Sequence, residues 1–278
     1  MDNFKLENFI KSDERIISQD TDLCICINSD GFYFSLIDNN YNLKALGEFK
    51  VDLSNGITSV MSNLRNCFNS IDIRLFNFNN ISVIIQATKN VFVPYKLFDN
   101  TKSKEYLRSV ALLNGSDVVL ESISEKLDTV LVFATQMYQH SGIKVLMPKA
   151  KFVPQHQIMA EYAFDISKLA NNTAVLYKRK NSFDLIVFKG MQFTFSNSFD
   201  YITESDMIYH ILFAFDQLKI DSSEIKLLIT GDEFSTSEKQ ILRKYIKDVS
   251  YANPMENIRV GYEFDTVDLQ KYFLTLVK

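Results

Sequence analysis

Residues 23–38 read LCICINSDGFYFSLID, and residues 173–190 read TAVLYKRKNSFDLIVFKG. In each, two apolar runs flank a short polar turn, the pattern of a β-hairpin. The first pair of strands covers 23–28 and 32–38 around Ser29-Asp30-Gly31, and Asp30-Gly31 predicts a type I′ turn that needs no ligand. The second pair covers 173–178 and 183–188. Both hairpins lead into the same sequel: a third strand (43–51, then 192–199), an amphipathic helix, and a fourth strand (81–86, then 225–230). The first helix carries Ile57, Val60, Met61, Leu64 and Phe68, with Ser54 or Asn55 as N-cap. The second carries Met207, Ile208, Ile211, Leu212, Phe215 and Leu218. Phe32, Phe34 and Leu36 meet Phe183, Leu185 and Val187 at an offset of 151, and Phe49 meets Phe199 at 150. A repeat of whole elements outranks any single motif in deciding a fold. The chain therefore reads as an α/β protein of two repeats, residues 1–170 with a core at 22–86 and an inserted segment at 92–170, then residues 171–278.

The segment between the copies predicts an exit at Pro94, a short helix over 103–110, strands at 118–122 and 128–134, and a helical stretch over 136–147. A strand from Lys151 is expected to bend at Pro154. After the second copy, Ser235-Thr-Ser-Glu238 is a capping box that opens a helix bearing Ile241, Leu242, Tyr245 and Ile246. The tail, 258–277, carries no assignable period.

Of 278 residues, 46% are hydrophobic and 23% charged, which excludes a disordered or collagen-like chain. The net charge of -4 supplies no general pull toward nucleic acid or an anionic membrane. With 8 glycines, the chain is poor in the residue that phosphate-gripping loops use most, and no Walker A or G-x-G-x-x-G motif occurs. Residues 1–22 scatter charges among apolar residues and lack the continuous core of a signal peptide, and no apolar run is long enough to span a bilayer. Cys24, Cys26 and Cys67 lack zinc or redox spacing and read as reduced thiols, so a cytoplasmic protein without membrane insertion is expected. His140, His156 and His210 sit in no metal-ligand or triad context. The 23 Phe and 13 Tyr fall at core periodicities without interleaved basic residues, so nucleic-acid stacking is not expected.

The order strand-turn-strand-strand-helix-strand, used twice with insertions, resembles the plan of the actin-like ATPase superfamily, which includes actin, hexokinase-type sugar kinases and heat-shock chaperone ATPase domains. It looks most like the pilus-assembly and cell-division branch. More closely, LCICINSDGFYFSLID, VFVPYKLFD followed by KEYL, LDTVLVFA, NSFDLIVFKG and the ILRKYI at 241–246 resemble an uncharacterised bacterial family of unknown function within that superfamily. The resemblance covers the chain from about Asp22 onward. It implies a duplicated actin-like (ribonuclease H-like) fold, two mixed sheets flanked by helices with a cleft between them.

In active relatives each hairpin carries an Asp and a Gly that organise magnesium and admit the phosphates. Aligned through the repeat, Cys26 and Asn28 occupy those positions in the first hairpin, and Tyr177 and Arg179 in the second. The adenosine turn, a Gly-Gly in relatives, reads Thr230-Gly231-Asp232-Glu233. Two carboxylates follow where polyphosphate would pass, and like charges at 4 Å cost about 4 kcal/mol at an effective dielectric near 20. These departures imply a catalytically degenerate scaffold, a pseudoenzyme that binds an unidentified protein partner, with no catalytic residue, no metal and no cofactor. The alternative is an ATP-dependent actin-like ATPase or small-molecule kinase using Mg-ATP, and a third reading is a sensor that binds nucleotide without hydrolysing it. The candidate cleft positions are Asn28, Asp30, Gly31, Lys178, Arg179, Lys180, Asn181, Ser182 and Gly231, where the basic turn Lys178-Arg179-Lys180 offers an anion grip or a solvated hairpin tip.

Overall fold

Alternating apolar residues form the strands and three-to-four-residue spacing forms the helices, and the computed structural model describes them over residues 4–75 and 78–277. The repeat limits Met1 and Lys278 lie outside the described residues. The first half runs β1 (Phe4–Lys11), β2 (Thr21–Asn28), β3 (Gly31–Asp38), β4 (Leu43–Val51), α1 (Ile57–Ser70) and β5 (Ile81–Ile85). Then come β6 (Asn90–Pro94), α2 (Ser103–Arg108), β7 (Asp117–Ser124), β8 (Thr129–Gln136), α3 (Met137–Leu146), β9 (Lys151–Pro154) and α4 (Gln155–Ser167). The second half runs β10 (Asn172–Arg179), β11 (Ser182–Lys189), β12 (Gln192–Asp200), α5 (Glu204–Gln217), β13 (Lys226–Gly231), α6 (Thr236–Tyr245), β14 (Asp248–Tyr251), a 3-10 turn (Leu269–Tyr272) and α7 (Phe273–Leu276).

The two large sheets have the same strand order. One is β1-β4-β3-β2-β5-β9 and the other β12-β11-β10-β13-β14, so β4-β3-β2-β5-β9 corresponds strand for strand to the second sheet. In each, the hairpin and third strand are antiparallel, and the fourth and fifth strands join parallel. This is the mixed α/β architecture expected from the sequence. β6, β8 and β7 form a small separate sheet.

Three apolar layers pack against the two large sheets, and a smaller cluster of Val93, Leu107, Val132 and Ala134 joins α2 to the small sheet. Val60, Leu64, Cys67 and Phe68 of α1 pack with Ile143 of α3 on one face of the first sheet. Met207, Ile211 and Phe215 of α5 pack with Leu242 of α6 on one face of the second. Between the sheets lies the third layer, where Tyr33 and Ile84 on one side and Val175, Tyr177 and Phe188 on the other enclose Met159, Ala160 and Ala163 of α4 and Tyr272, Phe273 and Leu276 of the tail.

Several local expectations change. The strand expected to bend at Pro154 instead ends there, and Pro154 is the N-cap of α4, which its φ of -75° suits. The N-cap of α1 is Gly56 with φ 89°, because the backbone N–H of Ser54 and the side chains of Ser54 and Asn55 all bond to Asp52. The first hairpin turn consists of Ser29 and Asp30, neither with positive φ, so it is not type I′. The Ser235–Glu238 capping box forms as expected. The three cysteines form no disulfide with one another, and no helix among the described residues is long and apolar enough to cross a membrane.

Because one layer serves both sheets, the halves should unfold together. Phe273→Ala, at a fully buried site, should cost about 3–5 kcal/mol and move one cooperative denaturation transition as a whole, read by circular dichroism and tyrosine fluorescence in parallel. Two separated transitions would contradict the shared layer.

Candidate functional site

The hairpin turns after β2 and β10 face one another across a cleft of about 950 Å³. Asn28, Ser29 and Asp30 form one wall, and Lys178 to Ser182 with Asp232 and Glu233 form the other. The floor is made by two phenols. Tyr33 of β3 and Tyr177 of β10 point from opposite sheets and their hydroxyls meet at 3.0 Å. Beneath them the Cys26 thiol accepts a long contact of 4.0 Å from Gln86 Nε2. Burial pushes the Cys26 thiol up to about 12, with Asp184 adding to the effect, and burial likewise raises Tyr33 and Tyr177 well above the phenol range. All three groups are therefore uncharged at neutral pH. The two positions aligned with the superfamily's carboxylates, Cys26 and Tyr177, thus present no charge to a metal shell.

Two of the three cations of the candidate grip, Lys178 and Arg179, are already paired. Lys178 and Arg179 are the last residues of β10 rather than part of the turn. Lys178 Nζ donates to Glu238 Oε2 at 2.5 Å and to the Glu233 carbonyl at 2.7 Å, and lies 5.0 Å over the Phe234 ring. Arg179 Nη2 donates to Asp184 Oδ1 at 2.6 Å. Of the remaining cleft cations, Lys50 and Lys271 pair with Glu7 at 3.7 Å and Glu48 at 2.6 Å. Among the described residues, Lys180 is the one cation lining the cleft without an ion pair. On the acidic side, burial raises the Asp232 carboxyl, and Asp30 and Glu48 raise it further against Lys271 and Lys178.

Asp184 anchors a buried network behind the floor. It is fully buried, and Ser198 Oγ of β12 donates to its Oδ1 at 2.5 Å while Gln155 Nε2 of α4 donates to its Oδ2 at 3.3 Å. His156 Nδ1 lies 3.1 Å from Asn90 Nδ2, a donor, so Nδ1 accepts and the ring proton sits on Nε2, 3.3 Å from Ser198 Oγ. Serine thus gives its proton to the carboxylate and receives one from histidine, the reverse of a nucleophilic triad. Burial lowers His156 below its ordinary value of 6.5, with Arg179 adding and Asp184 opposing.

The two candidate glycines support backbone rather than ligand. A Cβ at Gly31 would stand 2.0 Å from the Phe49 carbonyl oxygen, and one at Gly231, whose φ is 97°, would stand 2.3 Å from the Lys178 carbonyl oxygen. The structure brings Asn28, Asp30, Lys178, Arg179, Lys180, Asn181 and Ser182 to the cleft and leaves Gly31 and Gly231 behind its walls. The sequence reading missed Tyr33, Asp184, His156 and Glu238. The offset that paired Cys26 with Tyr177 also pairs Tyr33 with Asp184, so the repeat held a signal for two of them.

Residues 11–249 match the model of one family, DUF3822, described as a protein of unknown function. The chain belongs to this family. Among solved structures it is similar to a protein from Bacteroides thetaiotaomicron described as having an actin-like ATPase fold and unknown function, with 25% identity, a TM-score of 0.77, and 94% of this chain and 97% of the other covered. It is also similar to the PilM-PilN type IV pilus biogenesis complex, at 12% identity and a TM-score of 0.60, covering 91% and 96%. The ethanolamine utilization protein EutJ from Carboxydothermus hydrogenoformans follows at 7% identity and a TM-score of 0.50, covering 96% and 91%. No curated protein matches in sequence. The resemblance read from the two hairpins, a family of unknown function with an actin-like fold, is thereby established.

Two measurements probe the network. Asp184→Asn leaves the partly buried Arg179 guanidinium without its charge partner and should cost about 2–3 kcal/mol in urea unfolding, below the range for a fully buried pair. For His156 the unfolded chain takes up a proton at its ordinary value of 6.5 that the folded chain refuses. Stability is full above that value and falls as pH drops through it toward the lowered folded value. The urea midpoint should therefore decline from about pH 7.5 to about pH 5.5, and His156→Gln should flatten that slope.

Proposed function

We propose that the protein is a catalytically degenerate actin-like module that binds a protein partner and works without nucleotide. The observation that carries this is the pairing of two cleft cations: Lys178 and Arg179, the groups placed at the end of the hairpin strand to hold a polyphosphate, already neutralise Glu238 and Asp184, which leaves Lys180 at the exposed turn as the unpaired one among the described residues. A phosphate would have to break a buried ion pair to gain one, and the carboxylate left behind would stay unpaired at a cost of several kcal/mol. The residues present do not fit a magnesium nucleotide. Asp232 and Glu233 add negative charge on the same wall, and the uncharged Cys26 and Tyr177 offer a metal shell nothing. The ATP-dependent reading and the nucleotide-sensor reading both need that grip to be free, so neither is favoured.

Partner binding is supported by analogy with PilM, a neighbour of the same fold solved in a complex with PilN. The deciding experiment is thermal unfolding with and without millimolar Mg-ATP. A ligand at 100 times its dissociation constant would stabilise the fold by about 2.7 kcal/mol, several degrees in this size range. No shift is expected. A magnesium-dependent rise that disappears in Lys178→Ala or Arg179→Ala would overturn the reading.

A further inference from the structure

The two sheets differ at one edge. On the first, β1 lies antiparallel along β4 from Phe4↔Val51 to Lys11↔Ala45, and Phe4 and Phe9 set their rings against Phe49 and Phe34 at 5.9 and 6.4 Å. On the second, the corresponding strand β12 ends the sheet, and among the described residues no strand pairs with its outer side. β4 and β12 even share a register shift at the same place, beside Leu36/Ile37 and Val187/Phe188, which correspond at an offset of 151.

Exposed edges are normally protected by charge, proline or shortness. The other five edges here are: β1 carries Lys5, Glu7 and Lys11; β7 carries Asp117 and Glu121; β6 and β9 end in Pro94 and Pro154; β14 has 4 residues. β12 has 9 residues, QFTFSNSFD, with no Lys, Arg, Glu or Pro and a single Asp at its end.

The helix over that edge differs in the same sense. Val60, Leu64, Cys67 and Phe68 of α1 correspond at an offset of 147 to the buried Met207, Ile211, Ala214 and Phe215 of α5. The same offset matches the polar, exposed Ser62 and Asn66 to Tyr209 and Phe213. Those two rings are 60% and 50% exposed and stack 5.9 Å apart, and the neighbouring His210 stacks on Phe199 of β12 at 4.9 Å. Where the edge is already covered the helix surface is polar; where it is open the surface is aromatic. Between Lys189 and Lys219 the chain has no Lys or Arg and carries Asp200, Glu204, Asp206 and Asp216.

We propose that the outer edge of β12 takes an extended segment of a partner protein as an additional antiparallel strand, in the position β1 holds on β4. The segment carries large apolar side chains on one face, which lie beneath Tyr209 and Phe213, and Lys or Arg that meet the acidic flank. Backbone hydrogen bonds supply pairing, the aromatic ridge selects the apolar face, and the charge orients the segment. This assignment rests on the partner-binding part of the reading above and is independent of the nucleotide part.

The test uses a fluorescent peptide copying Phe4–Lys11, which has this composition, titrated with the full chain and followed by anisotropy. The intramolecular β1 holds β4 at the high effective concentration of a tethered strand, so the free peptide reports on β12. Binding is expected to weaken with salt and to fall at least tenfold with Tyr209→Glu or Phe213→Glu, both exposed positions. N-methylation of one alternate set of peptide amides should abolish it while methylation of the other set leaves it intact. Absence of binding at millimolar peptide, or binding indifferent to the variants and to both methylation patterns, overturns the proposal. A concentration-dependent dimer in sedimentation that Phe213→Glu dissolves also overturns it, since a second copy would then occupy the edge. If Mg-ATP stabilises the protein while the peptide still binds β12, the nucleotide-free reading falls and the edge stands. If neither binds, the edge alone falls.

Discussion

The apolar layer between the two sheets is the constraint from which the rest follows. Each sheet has its own helix-covered outer face, yet the inner faces are covered chiefly by each other, by α4 and by the tail. A sheet in this fold is therefore half a core. The layer also sets the distance at which the two hairpin turns stand, and so the width of the cleft. The Tyr33–Tyr177 contact closes the layer at its cleft end, where apolar packing gives way to polar groups.

The charged groups next to that layer are largely paired with one another. A buried ion pair contributes little net stability, but removing either partner is costly. Asp184 draws Arg179 from β10, Ser198 from β12 and Gln155 from α4 onto one carboxylate, so these elements must be aligned together. Glu238 does the same for α6, accepting from Lys178 and from the backbone N–H of Ser235 at the helix N-terminus. Lys178 and Arg179, which line the cleft, thus also tie α6 and β11 to β10.

The sequence carried the repeated architecture plainly, because hairpin, third strand, helix and fourth strand each have strong local periods, and their order recurs. It carried the cleft walls for the same reason: Asn28 and Lys178–Ser182 follow directly from the hairpin positions. It hid α4, whose buried face mixes Gln155, His156 and Gln157 with apolar residues and so blurs the helical stripe. It hid β1 and β14 as well, the one charged and the other only 4 residues long. The tail gave no period because its side chains enter a layer built from both sheets, where burial follows from tertiary position rather than from a repeating face. The state of the cations was also illegible. Lys178-Arg179-Lys180 looks like an anion grip in one dimension, and Glu238 lies 60 residues away in the chain.

The tail's location bears on how the chain reaches its native state. Ser35 Oγ donates to the Thr275 carbonyl at 2.7 Å, and Asn8 Nδ2 reaches the Tyr272 hydroxyl at 3.4 Å, contacts separated by 240 and 264 positions. Closing loops of that size precedes any reward from the contacts they enable, and such topologies fold slowly. During synthesis the inner face of the first sheet stays without this cover until residues 272–276 emerge, so the nascent chain carries exposed apolar surface while all of the second repeat is being made.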